Sequence, residues 1–118
     1  MIWEVGGSCM GWDIRVYRQR DGNLSPAKAD APARQLLAEW HTGGLNWLDE
    51  LMKTGQAIDL GGDGYPLTYT AIAECVIPHM EREDEFSHKL FGKPAADRLA
   101  LAQCRLDEWL IVEAWDSS

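Results

Sequence analysis

The chain has 118 residues, of which 46% are hydrophobic and 25% charged, values that are typical of one soluble globular domain. They exclude a disordered tail, a collagen-like repeat and a small disulfide-bonded scaffold, and no apolar run is long enough for a membrane-spanning helix. Eleven Lys and Arg face nineteen Asp and Glu, so the net charge of −8 disfavours nucleic-acid binding and favours a basic partner.

The three cysteines, Cys9, Cys75 and Cys104, are an odd number at wide spacing. This count argues against a closed set of disulfides and for a reducing compartment. With no readable secretory signal, the expected location is the cytoplasm.

The first residues predict a short arm followed by a strand. The glycines Gly6 and Gly7 interrupt the apolar start of the chain, so residues 1–9 are interpreted as an N-terminal arm and 10–118 as the domain. Met10 is an alternative native start. From Trp12 to Arg18 apolar and polar residues alternate, which predicts a half-buried strand.

Two helices are expected next. Pro32 suits the first turn of a helix whose apolar face would contain Leu36, Leu37 and Trp40 and which Gly43 would end. The second helix is predicted to follow Asn46 as its N-cap, with Asp49 and Glu50 in its first turn, Lys53 in its last turn and Gly55 at its end.

A glycine-rich run, Gly61–Gly64, separates two strand-like segments, 57–60 and 65–69, and predicts a β-hairpin. Pro66 cannot donate to a ladder, so the second strand should lie at an edge or turn this nitrogen away from the pairing. A phosphate-binding loop would need a following helix and a nearby Lys, and both are missing here.

The remaining residues predict two more helices and a final strand. Thr70 would cap the third helix, which Pro78 should kink or end, and a charged loop would follow over residues 81–93, anchored by Phe86 and Phe91. Pro94 would open the fourth helix, with Ala95, Leu99, Ala102 and Leu106 on one face. The segment 108–115 is predicted to be a strand that pairs with the first.

The element order is therefore β-α-α-β-β-α-α-β in a single small α+β domain. The simplest arrangement is a four-stranded, mostly antiparallel sheet with about four helices packed mainly on one face.

No catalytic signature is found in the sequence. Cys75 and His79 have a spacing that can place two metal ligands on one helix face, and His88 and Cys104 could complete a set, but these spacings match no zinc pattern. We therefore predict no metal, cofactor or catalytic residue.

The final strand is apolar on both faces, which is unusual for a strand that has water on one side. Either the chain's own helices cover both faces, or one face binds another chain. The second interpretation predicts partner contacts from aromatic and apolar residues together with an acidic run: Tyr17, Trp109, Ile111, Trp115, Glu81, Glu83, Asp84 and Glu85.

The sequence thus favours a non-catalytic acidic binding protein, either a homodimer or an inhibitor that covers a basic surface, as immunity proteins do. The alternative is a small-molecule-binding protein or small enzyme with an apolar pocket between sheet and helices. That pocket would be lined by Trp40, Trp47, Tyr65 or Tyr69.

Overall fold

The computed structural model describes residues 11–19, 24, 26–27 and 34–117. These residues form an α+β fold with a five-stranded antiparallel sheet and three helices. In chain order the elements are β1 (Trp12–Gln19), β2 (Arg34–Thr42), α1 (Asn46–Lys53), β3 (Ala57–Gly62), β4 (Leu67–Ile72), α2 (Ala73–Phe91), α3 (Arg98–Gln103) and β5 (Trp109–Asp116). The predicted arm over residues 1–9 and the alternative start at Met10 lie outside the described residues.

The strands are arranged in the order β2-β1-β5-β4-β3, and every neighbouring pair is antiparallel. The prediction that the last strand pairs with the first is confirmed, with Val16 opposite Val112. β5 lies at the centre of the sheet, so both of its edges are paired with neighbouring strands.

The element after β1 is a strand, and the prediction of a helix from Pro32 is wrong. β2 pairs with β1, but a bulge shifts the register beside Val16. The extra residue, Leu37, is buried, and so is the next one, Ala38. A bulge breaks the two-residue alternation of a strand, and the resulting spacing of apolar residues up to Trp40 imitates a helix face. The sheet therefore has five strands rather than four.

The second predicted helix and the hairpin are confirmed. α1 spans Asn46–Lys53 and buries Leu48, but its N-cap is Leu45, and Asn46, the predicted cap, is its first residue. The glycine-rich run joins β3 to β4; Gly61 and Gly62, at the end of β3, and Gly64, in the turn, have positive φ angles. Pro66 precedes β4 and so removes no donor from the ladder. β4 accordingly lies inside the sheet, between β5 and β3.

α2 is one continuous helix of 19 residues, so Pro78 does not end the helix and the predicted loop over residues 81–93 is wrong. Proline removes one backbone hydrogen bond from a helix interior. Side chains on both sides of it are completely buried, however, and their packing against the sheet holds the helix together. These residues are Ala73, Val76 and Met80.

Both ends of α2 also differ from the prediction. Thr70, the expected cap, lies in β4, where its hydroxyl donates to the carbonyl of Leu110 at 2.9 Å. At the other end, Gly92 adopts a left-handed conformation with φ of 67°, which is a common way for a helix to terminate.

The last helix is shorter than predicted. α3 begins at Arg98 rather than at Pro94, because the side chain of Asp97 caps it by accepting from the amide of Ala100 at 3.1 Å. Leu99 and Leu106, expected on the inner face, are exposed, and the buried residues of α3 are Ala100 and Leu101.

The helices α1 and α2 cover one face of the sheet, as the sequence predicted. The core between these helices and the sheet contains strand residues Ile14, Val16, Tyr69, Ala71, Leu110, Val112 and Ala114 and helix residues Leu48, Ala73, Val76 and Met80. None of the helices in the described ranges is both long and apolar enough to cross a membrane.

Candidate functional site

One side of the sheet ends in an incompletely paired strand, β2. Residues 95–97, which we call the returning segment, pair with the middle of β2. The amide of Glu39 donates to the carbonyl of Ala95, and the amide of Asp97 donates to the carbonyl of Leu37, each at 2.8 Å. Backbone groups of alternate residues face the same edge of a strand, so those of His41 also point outward. Within the described part of the chain no backbone group pairs with them, and the edge is open there.

A buried carboxylate holds this returning segment in place. Asp84 is 1% exposed; its Oδ1 accepts from the amides of Ala95 at 2.9 Å and Ala96 at 3.0 Å, and its Oδ2 accepts from Nε of Arg98 at 2.7 Å. Burial raises the pKa of Asp84, but the hydrogen bonds outweigh burial and hold the pKa below its ordinary value. The expectation that Asp84 contacts a partner is therefore corrected: this side chain is internal.

Two grooves lie on either side of the returning segment. One has a volume of about 600 Å³ and is lined by Leu36 and Leu99. The other, of about 500 Å³, lies between β2 and α2 and is lined by Trp40, Phe86 and Phe91. Because both grooves include Glu39, Pro94 and Ala95, they form one continuous surface.

Exposed apolar side chains are concentrated around these grooves. Five of them are between 47% and 80% exposed: Leu36, Phe86, Leu90, Phe91 and Leu99. Leu90 follows Phe86 by one helical turn and shares its face. The described residues include nine exposed large apolar side chains, so more than half of them lie here. We call these five residues and the two grooves the edge surface.

Sequence reasoning did not find the edge surface. It treated Phe86 and Phe91 as anchors that pack against the body of the protein, whereas both are exposed. If residues 81–91 are taken as helix, the spacing of the buried residues in the sequence already places Phe86 off the buried face. The buried stripe of Val76, Met80 and Asp84 continues at a spacing of three to four residues, and that spacing does not reach Phe86.

The rest of the acidic run lies along α2. Glu81 and Glu85 are exposed, and Glu83 is half-buried and lines the groove between β2 and α2. Glu81 and Glu85 are thus accessible to solvent and Glu83 partly so, and the partner contacts of these side chains stay a prediction.

The predicted contacts on β5 lie on the opposite face of the sheet from α2. Ile111 is 1% exposed, and Thr70 stands opposite it. The hydroxyl of Thr70 accepts from the amide of Ala27 at 3.0 Å, so Ala27 lies at this face. Ile111 is thus an internal residue and not the outward anchor that the sequence suggested, and Trp109 beside it is half-buried.

The aromatic rings farther along this face are covered by arginines. The guanidinium carbon of Arg34 lies 4.9 Å from the ring centroid of Tyr17, and that of Arg15 lies 5.7 Å from Trp115. Glu113, buried between them, accepts from Nη1 of Arg34 at 2.7 Å and from Nε1 of Trp115 at 3.2 Å. Burial foremost, and then the charge of Glu113, raises the pKa of Tyr17. These rings contact side chains of the same chain and do not form a bare apolar patch.

The structure brings together two of the four residues predicted to line a pocket. The ring centroids of Trp40 and Trp47 are 6.0 Å apart, and the ring of His79 lies 4.7 Å from Trp47. A cavity of about 210 Å³ adjoins these three rings. Tyr65 is exposed in the turn before β4, and Tyr69 is buried in the core, so neither lines this cavity.

The described thiols lie in surroundings that favour the neutral form. Burial is the main cause that raises the pKa of both Cys75 and Cys104, with nearby carboxylates as a smaller cause. Nucleophilic attack requires the thiolate, and neither thiol is activated. In the ranges that the structure describes, no three His, Cys, Asp or Glu side chains are grouped so as to hold a metal ion.

The edge surface is therefore the candidate functional site, because internal contacts leave its apolar side chains and part of its backbone edge unused. Comparisons with protein-family models, curated proteins and solved structures gave no significant match to this chain.

Proposed function

We propose that this chain is a non-catalytic binding protein that acts by covering the surface of another protein chain. The edge surface carries this proposal, since five exposed apolar side chains surround two connected grooves there. Apolar patches of several hundred Å² are typical of protein interfaces, and Phe is enriched in them. The open edge at His41 adds backbone donors and acceptors that an extended partner segment can use.

The charge of the chain supports a protein partner. A net charge of −8 repels a phosphate backbone, whereas it speeds the encounter with a basic protein surface. Glu81 and Glu85 are exposed on α2 close in sequence to Phe86, so negative charge borders the apolar patch.

Photo-crosslinking in cells tests the proposal, because it captures whichever protein lies against a chosen residue. p-Benzoylphenylalanine is placed at Phe86 or, as a matched control, at Tyr65, which is similarly exposed and lines neither groove. We expect a discrete adduct only from the first position. Adding Phe91→Asp should abolish it, because a partner would then have to bury an unpaired charge.

The mass of the adduct separates a second copy from a different protein. Equal adducts from both positions, or none from the position of Phe86, would contradict the proposed function.

A second candidate function is binding of a small aromatic ligand beside Trp40 and Trp47. The cavity there has aromatic walls, and Thr42, Arg82 and Glu83 supply polar groups at its border. Such a mixture is typical of ligand sites. Burial, followed by the charge of Arg82, lowers the pKa of His79, so the imidazole is neutral at neutral pH and stacks readily.

Thermal unfolding with benzoate and indole as probes tests this candidate. Binding should raise the unfolding temperature with ligand concentration, by a stabilisation of about 2.7 kcal/mol at a concentration 100-fold above Kd. The rise should disappear in Trp47→Leu and persist in Trp115→Leu, whose ring lies on the other face of the sheet. A flat response to both probes would eliminate single-ring aromatic ligands of this kind.

A further inference from the structure

We infer that the edge surface is a two-fold interface and that its occupant is a second copy of this chain. The inference rests on the proposed function and adds the identity of the partner. It follows from three properties of the edge surface: its apolar area, its charge balance and two charged side chains that are unpaired among the described residues.

The apolar area matches what a stable dimer needs. The two Phe and three Leu of the edge surface are 47–80% exposed. At 150–250 Å² for a whole aromatic side chain, they present on the order of 500 Å² of apolar surface. A standard interface buries about 800 Å² per partner, of which a little over half is apolar. One copy of the edge surface therefore supplies the apolar area of one side of such an interface.

The lining of the two grooves has nearly balanced charge, although the chain is strongly acidic and Glu81 and Glu85 are exposed nearby on α2. The grooves are lined by the carboxylates of Glu39, Glu83 and Asp97 and by the cations of Lys93 and Arg98. A lining with both signs of charge can face its own copy with little local repulsion, and this balance favours a second copy as the occupant.

Two of these charges are free to form contacts between copies. Glu39 binds Arg15, Arg98 binds Asp84 and Asp97 caps α3. Glu83 and Lys93 line the same groove, and no ion pair among the described residues includes either side chain. In a two-fold contact each interaction occurs twice, so Glu83 of each copy pairs with Lys93 of the other.

Sedimentation equilibrium from about 1 to about 100 µM protein tests the dimer directly. We expect the wild-type chain to dimerise in this range and Phe91→Asp to weaken the dimer about 30-fold or more. Leu106→Asp is the control, because Leu106 is similarly exposed but lies outside both grooves. Circular dichroism confirms that each variant remains folded.

A charge exchange tests the paired contact. Glu83→Lys and Lys93→Glu should each weaken the dimer about tenfold, because each variant places like charges together at both symmetric positions. An equimolar mixture of the two should dimerise about as tightly as wild type, since both contacts of the mixed dimer then join opposite charges. Mixing Glu85→Lys with Lys93→Glu should not have this effect.

A wild-type chain that stays monomeric at about 100 µM overturns the inference. The inference also fails if the mixture of Glu83→Lys and Lys93→Glu dimerises no more tightly than either variant alone, or if Leu106→Asp weakens the dimer as much as Phe91→Asp does. If the crosslink from Phe86 has the mass of a different protein and the chain is monomeric, the partner identity fails while the proposed function stands. If no crosslink forms, both fail.

Discussion

Replacing Asp84 with alanine is expected to lower the free energy of unfolding by about 3 kcal/mol. The carboxylate is 1% exposed and accepts from the amides of Ala95 and Ala96 and from Arg98. The guanidinium of Arg98 is half exposed, so water can replace the acceptor there. The two amides face the interior, and most of the loss comes from leaving them without an acceptor. Urea denaturation measures the change.

Glu85→Ala is the matched control, since Glu85 is the next residue of α2 and is exposed. Its substitution should change the free energy of unfolding by less than about 0.5 kcal/mol. Equal effects of the two substitutions would contradict the assignment of Asp84 as the group that holds the returning segment in place.

The pH dependence of stability gives a second test at the same position, with Asp84→Asn as the variant. The pKa of Asp84 in the folded state lies below its ordinary value of about 3.9. Its contribution is therefore complete above the ordinary pKa and is lost as pH falls through the folded-state pKa. The stability difference between wild type and Asp84→Asn should shrink from about pH 6 towards about pH 3, and a difference independent of pH would contradict this account.

Hydrogen exchange shows where the loss occurs. The amides of Glu39 and Asp97 join β2 to the returning segment, so they should exchange faster in Asp84→Ala by local opening. The amide of Val112, at the centre of the sheet, should change only as much as global stability does. Release of this segment would also lengthen the open edge of β2, which is a site for unwanted strand pairing.

Elements whose contacts are mainly local were predictable from the sequence. α1 has charges placed to suit both of its ends, and the glycines between β3 and β4 leave few alternatives to a turn. β1 alternates from Trp12 to Val16, where buried or half-buried apolar residues are separated by exposed polar ones. The doubly apolar pattern of β5 left open what covers its second face, and it could not show that Ala27 lies there near Ile111.

The errors arise where tertiary contacts override local signals. The bulge at Leu37 is stabilised by pairing with β1 and cannot be distinguished from a helical spacing in one sequence. Pro78 is tolerated because residues before and after it pack in the core. Asp84 has the same chemistry as Glu83 and Glu85, and only the returning segment makes it internal. The edge surface was hidden for the same reason, since its position depends on which face of α2 the sheet covers.

Glu108→Ala is expected to cost about 3 kcal/mol, and Asp107→Ala less than about 0.5 kcal/mol. These neighbouring carboxylates are alike in sequence, but Glu108 is 1% exposed and Asp107 is mostly in water. Oε1 of Glu108 accepts from Nε of Arg18 at 2.9 Å, and Oε2 accepts from the amide of Arg105 at 2.6 Å. The two bonds join β1 to the turn before β5, so removing the carboxylate leaves Arg18 partly buried and unpaired.

The double variant Arg18→Met, Glu108→Leu distinguishes the value of the ion pair from the cost of breaking it. Replacing both partners by apolar side chains of similar volume is often neutral, because no unpaired charge remains. We expect the double variant to recover the part of the loss that comes from leaving Arg18 unpaired, while the missing bond to the Arg105 amide still costs about 1–2 kcal/mol. Chemical denaturation of the four proteins gives the coupling energy directly. A double variant as unstable as the sum of its single substitutions would show that Glu108 acts through the turn alone and not through Arg18.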